Sequence, residues 1–284
     1  MQSASRSQAP VAERSTAVAT VLGLLVPGGG HLYLGRVGLA ALGFVVLGGM
    51  YYLGVVLSDG MFLEYLPPEM RGAMAWLLAP ELGNFSFLYW HQGAYGFGQL
   101  EPRTWPEGIH LGTTLTALSG VLNLLLASHA NYLARCTRLG EPRSPGGLDP
   151  AASATASFLV PGLGQFLQGR RLRGGVIFVL LVGLFLVSTA LAGGTNLDRE
   201  RHFYYWAGQF LLGLPAILTE LVNGHPVQLE VVPYADGGVV LASIAGLLNV
   251  LGMMDAYAFA DERVFPESYA STAEGEGARG EAAA

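Results

Sequence analysis

The chain has 284 residues, 51% hydrophobic and only 13% charged, where average soluble chains carry about 25% charge. Its net charge of −6, with no basic run, excludes nucleic acid as a partner, since that needs a concentrated positive face. A single cysteine, Cys136, excludes an internal disulfide, and the fifteen basic residues are all arginine, which reads as the codon bias of a GC-rich bacterial genome.

Residues 1–15, with Arg6 and Arg14, read as a disordered arm that is retained, because no small-residue cleavage site follows. Thr16–Val26 is apolar but only 11 residues long, about 16 Å as a helix and half a bilayer core. It ends in "PGGGHLYLGR", where proline and glycine stop any helix. Val37–Ser58 and Ile109–Ala134 are then long and apolar enough to span. Between them lies an acidic insert carrying Trp76, Trp90 and Trp105. A Pro-, Gly- and charge-rich linker, 136–150, leads to a second half, 151–261. That half has its own break, "PGLGQFLQGR", spans at Gly174–Leu197 and Gly237–Ala260, and an insert with Trp206. Phe203–Thr219 in this insert is expected to re-enter or lie at the interface. The tryptophans, with Tyr89, Tyr95, Tyr204 and Tyr205, are expected to form an interfacial belt. Residues 262–284 are small and acidic, and are expected to be a disordered tail.

The two halves are duplicates. At an offset of 134, Pro27, Gly28, Gly30, Gly35 and Arg36 match Pro161, Gly162, Gly164, Gly169 and Arg170, with His31 facing Gln165. At an offset of 126, Gly120 and Asn123 match Gly246 and Asn249, and His129 faces Asp255. The fold class is therefore all-α and membrane-embedded: two tandem repeats (16–135 and 151–261), each a half-helix, a Pro-Gly break and two spanning helices with an aromatic insert. The arginines cluster beside the breaks and in the linker, while acidic residues outnumber them in the inserts. This predicts a multi-pass inner-membrane protein with both termini cytoplasmic and re-entrant half-helices. A rival topology lets Thr16–Gly35 span as one kinked helix.

The turns resemble the helix–turn–helix core of the two-transmembrane-helix domain family of the beta-amyloid-binding-protein type, and uncharacterised bacterial families with a Pro-Gly-x-Gly-[His/Gln] turn. His31, Tyr33, Gly35 and Arg36 match that turn, with Leu32 where an aromatic is usual. Phe166, Gly169 and Arg170 match it in the second half, with Gln165 replacing the histidine, and Asp255 is similar to an aspartate in the helix that follows. The resemblance implies an architecture and is silent on activity.

No nucleophile, zinc or phosphate-loop motif is present, so no catalytic residue, metal or cofactor is expected. His31 and Gln165 read as caps of the half-helices or as ligand groups. Asn123 and Asn249 read as inter-helix hydrogen bonds beside the close-packing pairs Thr116/Gly120 and Ala242/Gly246. His129 and Asp255, at matched positions, are expected either to face one another across the pseudo-two-fold axis or to lie near the cytoplasmic ends of their spans. The expected function is a non-enzymatic membrane scaffold or accessory protein, in contact with lipid and with a protein partner or itself. A small transporter or channel, or an intramembrane enzyme, are the alternatives.

Overall fold

A computed structural model describes residues 14–65, 79–95, 104–139, 147–223 and 231–266. Most of the predicted N-terminal arm, the middle of the linker, Trp76 and most of the acidic tail lie outside the described residues.

Helix α1 (Thr16–Leu25) starts at Ser15, whose hydroxyl accepts from the Val18 amide, a standard N-cap. It ends where Val26–Gly29 form a type II turn, with Pro27 at the second position and Gly28 at φ 79° in the third. The Gly29 amide closes this turn onto the Val26 carbonyl at 2.8 Å. One short helical turn follows, α2 (Gly29–Tyr33). It closes in a Schellman motif, with Gly35 left-handed and the Arg36 amide donating to the His31 carbonyl at 2.8 Å. Arg14 Nη1 donates to the Tyr33 carbonyl at 2.6 Å, which brings the start of α1 and the end of α2 to one level. The segment folds back on itself, unlike the single kinked span of the rival topology.

The first spanning run, Val37–Leu57, consists of α3 (Val37–Gly43), a π-helical turn at Phe44–Gly48 and α4 (Gly49–Leu57). After it come a 3₁₀ turn at Pro80–Asn84, α5 (Phe85–Tyr95) and the second span, α6 (Ile109–Leu139).

The second repeat copies this plan. Helix α7 (Pro150–Leu159) is capped by Asp149 and ends in the same type II turn, with Gly162 at φ 81°. The turn helix α8 (Leu163–Leu167) and the span α9 (Arg171–Leu191) follow. Helix α9 stops short of the expected Leu197 because Gly193 and Gly194 take left-handed φ. Phe203–Thr219 is not one helix. It divides at Gly213 (φ 80°) into α10 (Phe203–Phe210) and α11 (Leu214–Asn223). The last span is α12 (Ala235–Val264). The four spanning runs are long and apolar enough to cross a bilayer, and the chain is a multi-pass membrane protein.

Each half-helix packs on the last span of its own repeat, α1 on α6 and α7 on α12, while α4 packs on α6 and α9 on α12. Glycines permit the closest approaches. A Cβ on Gly120 would strike the Pro80 carbonyl, and one on Gly246 would strike the Gly208 carbonyl. The core joins the repeats, with Val121 and Leu125 of α6 meeting Phe158 of α7 and Trp206 and Phe210 of α10. Trp206 is fully buried there and is not part of a belt, whereas Trp90, Tyr89 and Tyr205 are exposed.

Candidate functional site

The two breaks place one polar side chain each against the last span of their repeat. In the first repeat, His31 is 1% exposed and its Nε2 lies 2.9 Å from His129 Nδ1. His129 Nε2 lies 3.7 Å from the Asp149 carboxylate, which also caps α7. Of His31 Nε2 and His129 Nδ1, one carries the proton and donates to the other, the tautomer deciding which. Burial, the His129 ring and Arg36 push His31 down to about 4, so it is neutral at pH 7.

The second repeat fills the same place differently. Gln165 Nε2 donates to the Gly252 carbonyl at 2.7 Å and to Asp255 at 3.1 Å. Asp255 also takes ion pairs from Arg170 (2.8 Å) and Arg173 (2.6 Å). His129 and Asp255 therefore do not face one another, the first of the two arrangements their matched positions allowed. Each pairs with the turn residue of its own repeat, because α6 and α12 pack on their own half-helices at that level.

Asn123 and Asn249 act as matched clips. Asn123 Nδ2 donates to the carbonyls of Gly23 (3.0 Å) and Gly83 (2.7 Å), tying the half-helix and the insert to α6. Asn249 Nδ2 donates to those of Ser157 (3.2 Å) and Leu211 (2.9 Å). Both side chains are fully buried. Of the remaining turn residues, Gly30 and Gly164 approach the backbone of their half-helices at Ala19 and Ser153, and neither place has room for a Cβ. Tyr33 bonds the start of α1 through its hydroxyl and its carbonyl. Pro27 and Pro161 sit at the second positions of the type II turns, and Gly169 is left-handed like Gly35.

Two ion pairs between the repeats were not foreseen. Arg199, 1% exposed, lies 3.2 Å from the fully buried Glu81, which also accepts from Thr116 Oγ1 at 3.0 Å. The guanidinium is stacked 4.3 Å from Trp206 and 5.0 Å from Phe203. At the other end of the spans, Arg135 meets Asp261 at 2.7 Å and lies 4.1 Å above the Phe265 ring. Among the described residues no group of three or more His, Cys, Asp or Glu side chains is placed to hold a metal.

A model described as a family of unknown function (DUF6677) matches the chain twice, over residues 18–140 and 152–265. The two matches coincide with the two structural repeats. No curated protein and no solved structure matches the chain.

Proposed function

We propose that this chain, which belongs to the family of unknown function DUF6677, is a non-catalytic membrane scaffold that binds a partner through its outer spans. The carrying observation is how its polar and apolar groups are deployed. The buried asparagines and Gln165 hold backbone carbonyls within each repeat, and two ion pairs, Glu81–Arg199 and Arg135–Asp261, tie the repeats together. The first and third spans meanwhile expose broad apolar faces, among them Val45, Tyr52 and Val56 on one and Val179, Leu180 and Val187 on the other. Such faces suit lipid or another helix packed in the membrane.

In this reading the protein resides in the inner membrane of a bacterium, and the arginines beside both breaks keep the termini in the cytoplasm. Photo-crosslinking residues at Val45 and Val179, each about two-thirds exposed, test it in intact membranes. One crosslinked protein of constant mass at either position, co-purifying in stoichiometric amount in mild detergent, supports the scaffold. Crosslinks to lipid alone, together with ion or solute flux through the purified protein in liposomes, would replace it with a transporter.

A further inference from the structure

Between the repeats runs a groove of about 620 Å³, within the range of about 300–1,000 Å³ typical of ligand pockets. Its walls are apolar: Leu39, Leu42 and Val46 from the first span, Leu122 and Leu126 from α6, and Leu159 from α7. At one end the lining turns polar, with His129 and Asp149. From there to Leu122 the groove follows α6 for seven residues, roughly 10 Å.

Arg36 lies at the same end. It is exposed, precedes Leu39 by one helical turn, and sits close enough to His31 for its charge to act on that ring. The second repeat shows what Arg36 lacks. Its counterpart Arg170 is neutralised by Asp255, but His129 occupies that position in the first repeat, and Arg36 has no ion-pair partner among the described residues. Asp149, a quarter exposed, has no arginine against it among the described residues, its charged neighbour there being His129. An exposed cation and a quarter-exposed carboxylate, the latter also capping α7 and lying 3.7 Å from His129, thus stand near one end of an apolar trough, a charge pattern complementary to a zwitterionic headgroup.

We infer that the groove holds an acyl chain of a phosphatidylethanolamine-type lipid, with its phosphate at Arg36 and its primary ammonium at Asp149. The phosphate accepts from the guanidinium and the ammonium donates to the carboxylate, both charge-assisted bonds. A choline headgroup has no N–H to donate to Asp149, and a glycerol headgroup has no cation for it.

The test uses the purified full chain and three lipids of identical acyl chains, with ethanolamine, choline or glycerol headgroups, and native mass spectrometry to count bound lipid. The ethanolamine lipid is expected to bind at one per chain, about tenfold more tightly than the other two. Arg36→Gln is expected to weaken it by about tenfold. Asp149→Asn, which still caps α7, is expected to abolish the preference over the choline lipid. Leu126→Trp, filling the groove, is expected to prevent binding, and the two charge variants carry the test if that protein does not fold. Equal binding of the three lipids, a preference for the anionic glycerol lipid, or undiminished binding by Arg36→Gln would overturn the assignment.

Discussion

Arg135 and Asp261 occupy equivalent positions in the two repeats, 126 residues apart, and their side chains meet at 2.7 Å. The duplication thus placed opposite charges on one pseudo-symmetric site, and the last turns of α6 and α12 close around them through Leu133, Cys136 and Val264. Asp261 is nearly buried while Arg135 is a quarter exposed. Asp261→Asn is expected to lower the melting temperature in detergent, as is Arg135→Gln. The exchanged pair Arg135→Asp with Asp261→Arg is expected to recover part of that loss, because it restores opposite charges at two equivalent positions. No recovery in the exchanged protein would show that the surroundings, chiefly the Phe265 ring over Arg135, matter more than the pairing.

The asparagine clips lead to a prediction of symmetry. Asn123→Leu and Asn249→Leu each leave two carbonyls without their side-chain donor, all buried except that of Leu211, which is half-buried, at about 1–3 kcal/mol for an unsatisfied buried polar group. Both variants are expected to lower stability in denaturant titration by similar amounts. A silent substitution at one site and a severe one at the other would show that the two inserts are not held equivalently.

The buried Glu81–Arg199 pair makes a different demand. Removing one partner strands a buried charge, and Arg199→Met alone is expected to cost about 3–5 kcal/mol. Gln209 stands two residues before Leu211, which Asn249 holds, as Glu81 stands two before Gly83, which Asn123 holds, so Glu81→Gln combined with Arg199→Met is expected to be far less damaging than Arg199→Met alone. Folded yield and melting of the three proteins decide this, and equal damage in the single and double variants would refute it.

His31 sets a pH dependence. An unfolded imidazole takes its proton near pH 6.5, whereas the folded one waits until about 4. Between these values the unfolded chain holds more protons, so the contribution of His31 is fully present above about pH 6.5 and is lost as pH falls towards 4. The slope is at most about 1.4 kcal/mol per pH unit. His31→Gln, the residue the second repeat uses, is expected to flatten this part of the stability profile. An unchanged profile in the variant would mean that other groups carry the acid sensitivity.

The architecture was legible because its signals are local and repeated. Proline and glycine at fixed spacing marked both helix breaks, and apolar runs long enough to cross a bilayer core, with Asp255 the one formally charged residue in them, marked the four spans. The site was less legible because it depends on which helix faces meet. Sequence alignment correctly equated His129 with Asp255. It said nothing of each packing against its own turn, with true cross-repeat pairing six residues further along at Arg135 and Asp261. Opposite charges at aligned positions were the available signal. Trp206 was misplaced for a related reason, since composition cannot separate an interfacial tryptophan from one stacked under a buried arginine.

The tie between Glu81 and Arg199 also bears on biosynthesis. Translation delivers Glu81 well before Arg199, which lies 118 positions further along the chain. A first repeat produced alone would carry a buried carboxylate with no cation opposite it and, at its far end, an Arg135 without Asp261. Thr116 and Arg135, which mark those two ends on α6, are nineteen residues or roughly 28 Å apart, close to the thickness of the hydrocarbon core. The nascent half is therefore incomplete at both membrane faces until the second half arrives. Gene duplication here did not leave two interchangeable modules: a chain cut at the linker would give halves that must find each other before either is sound.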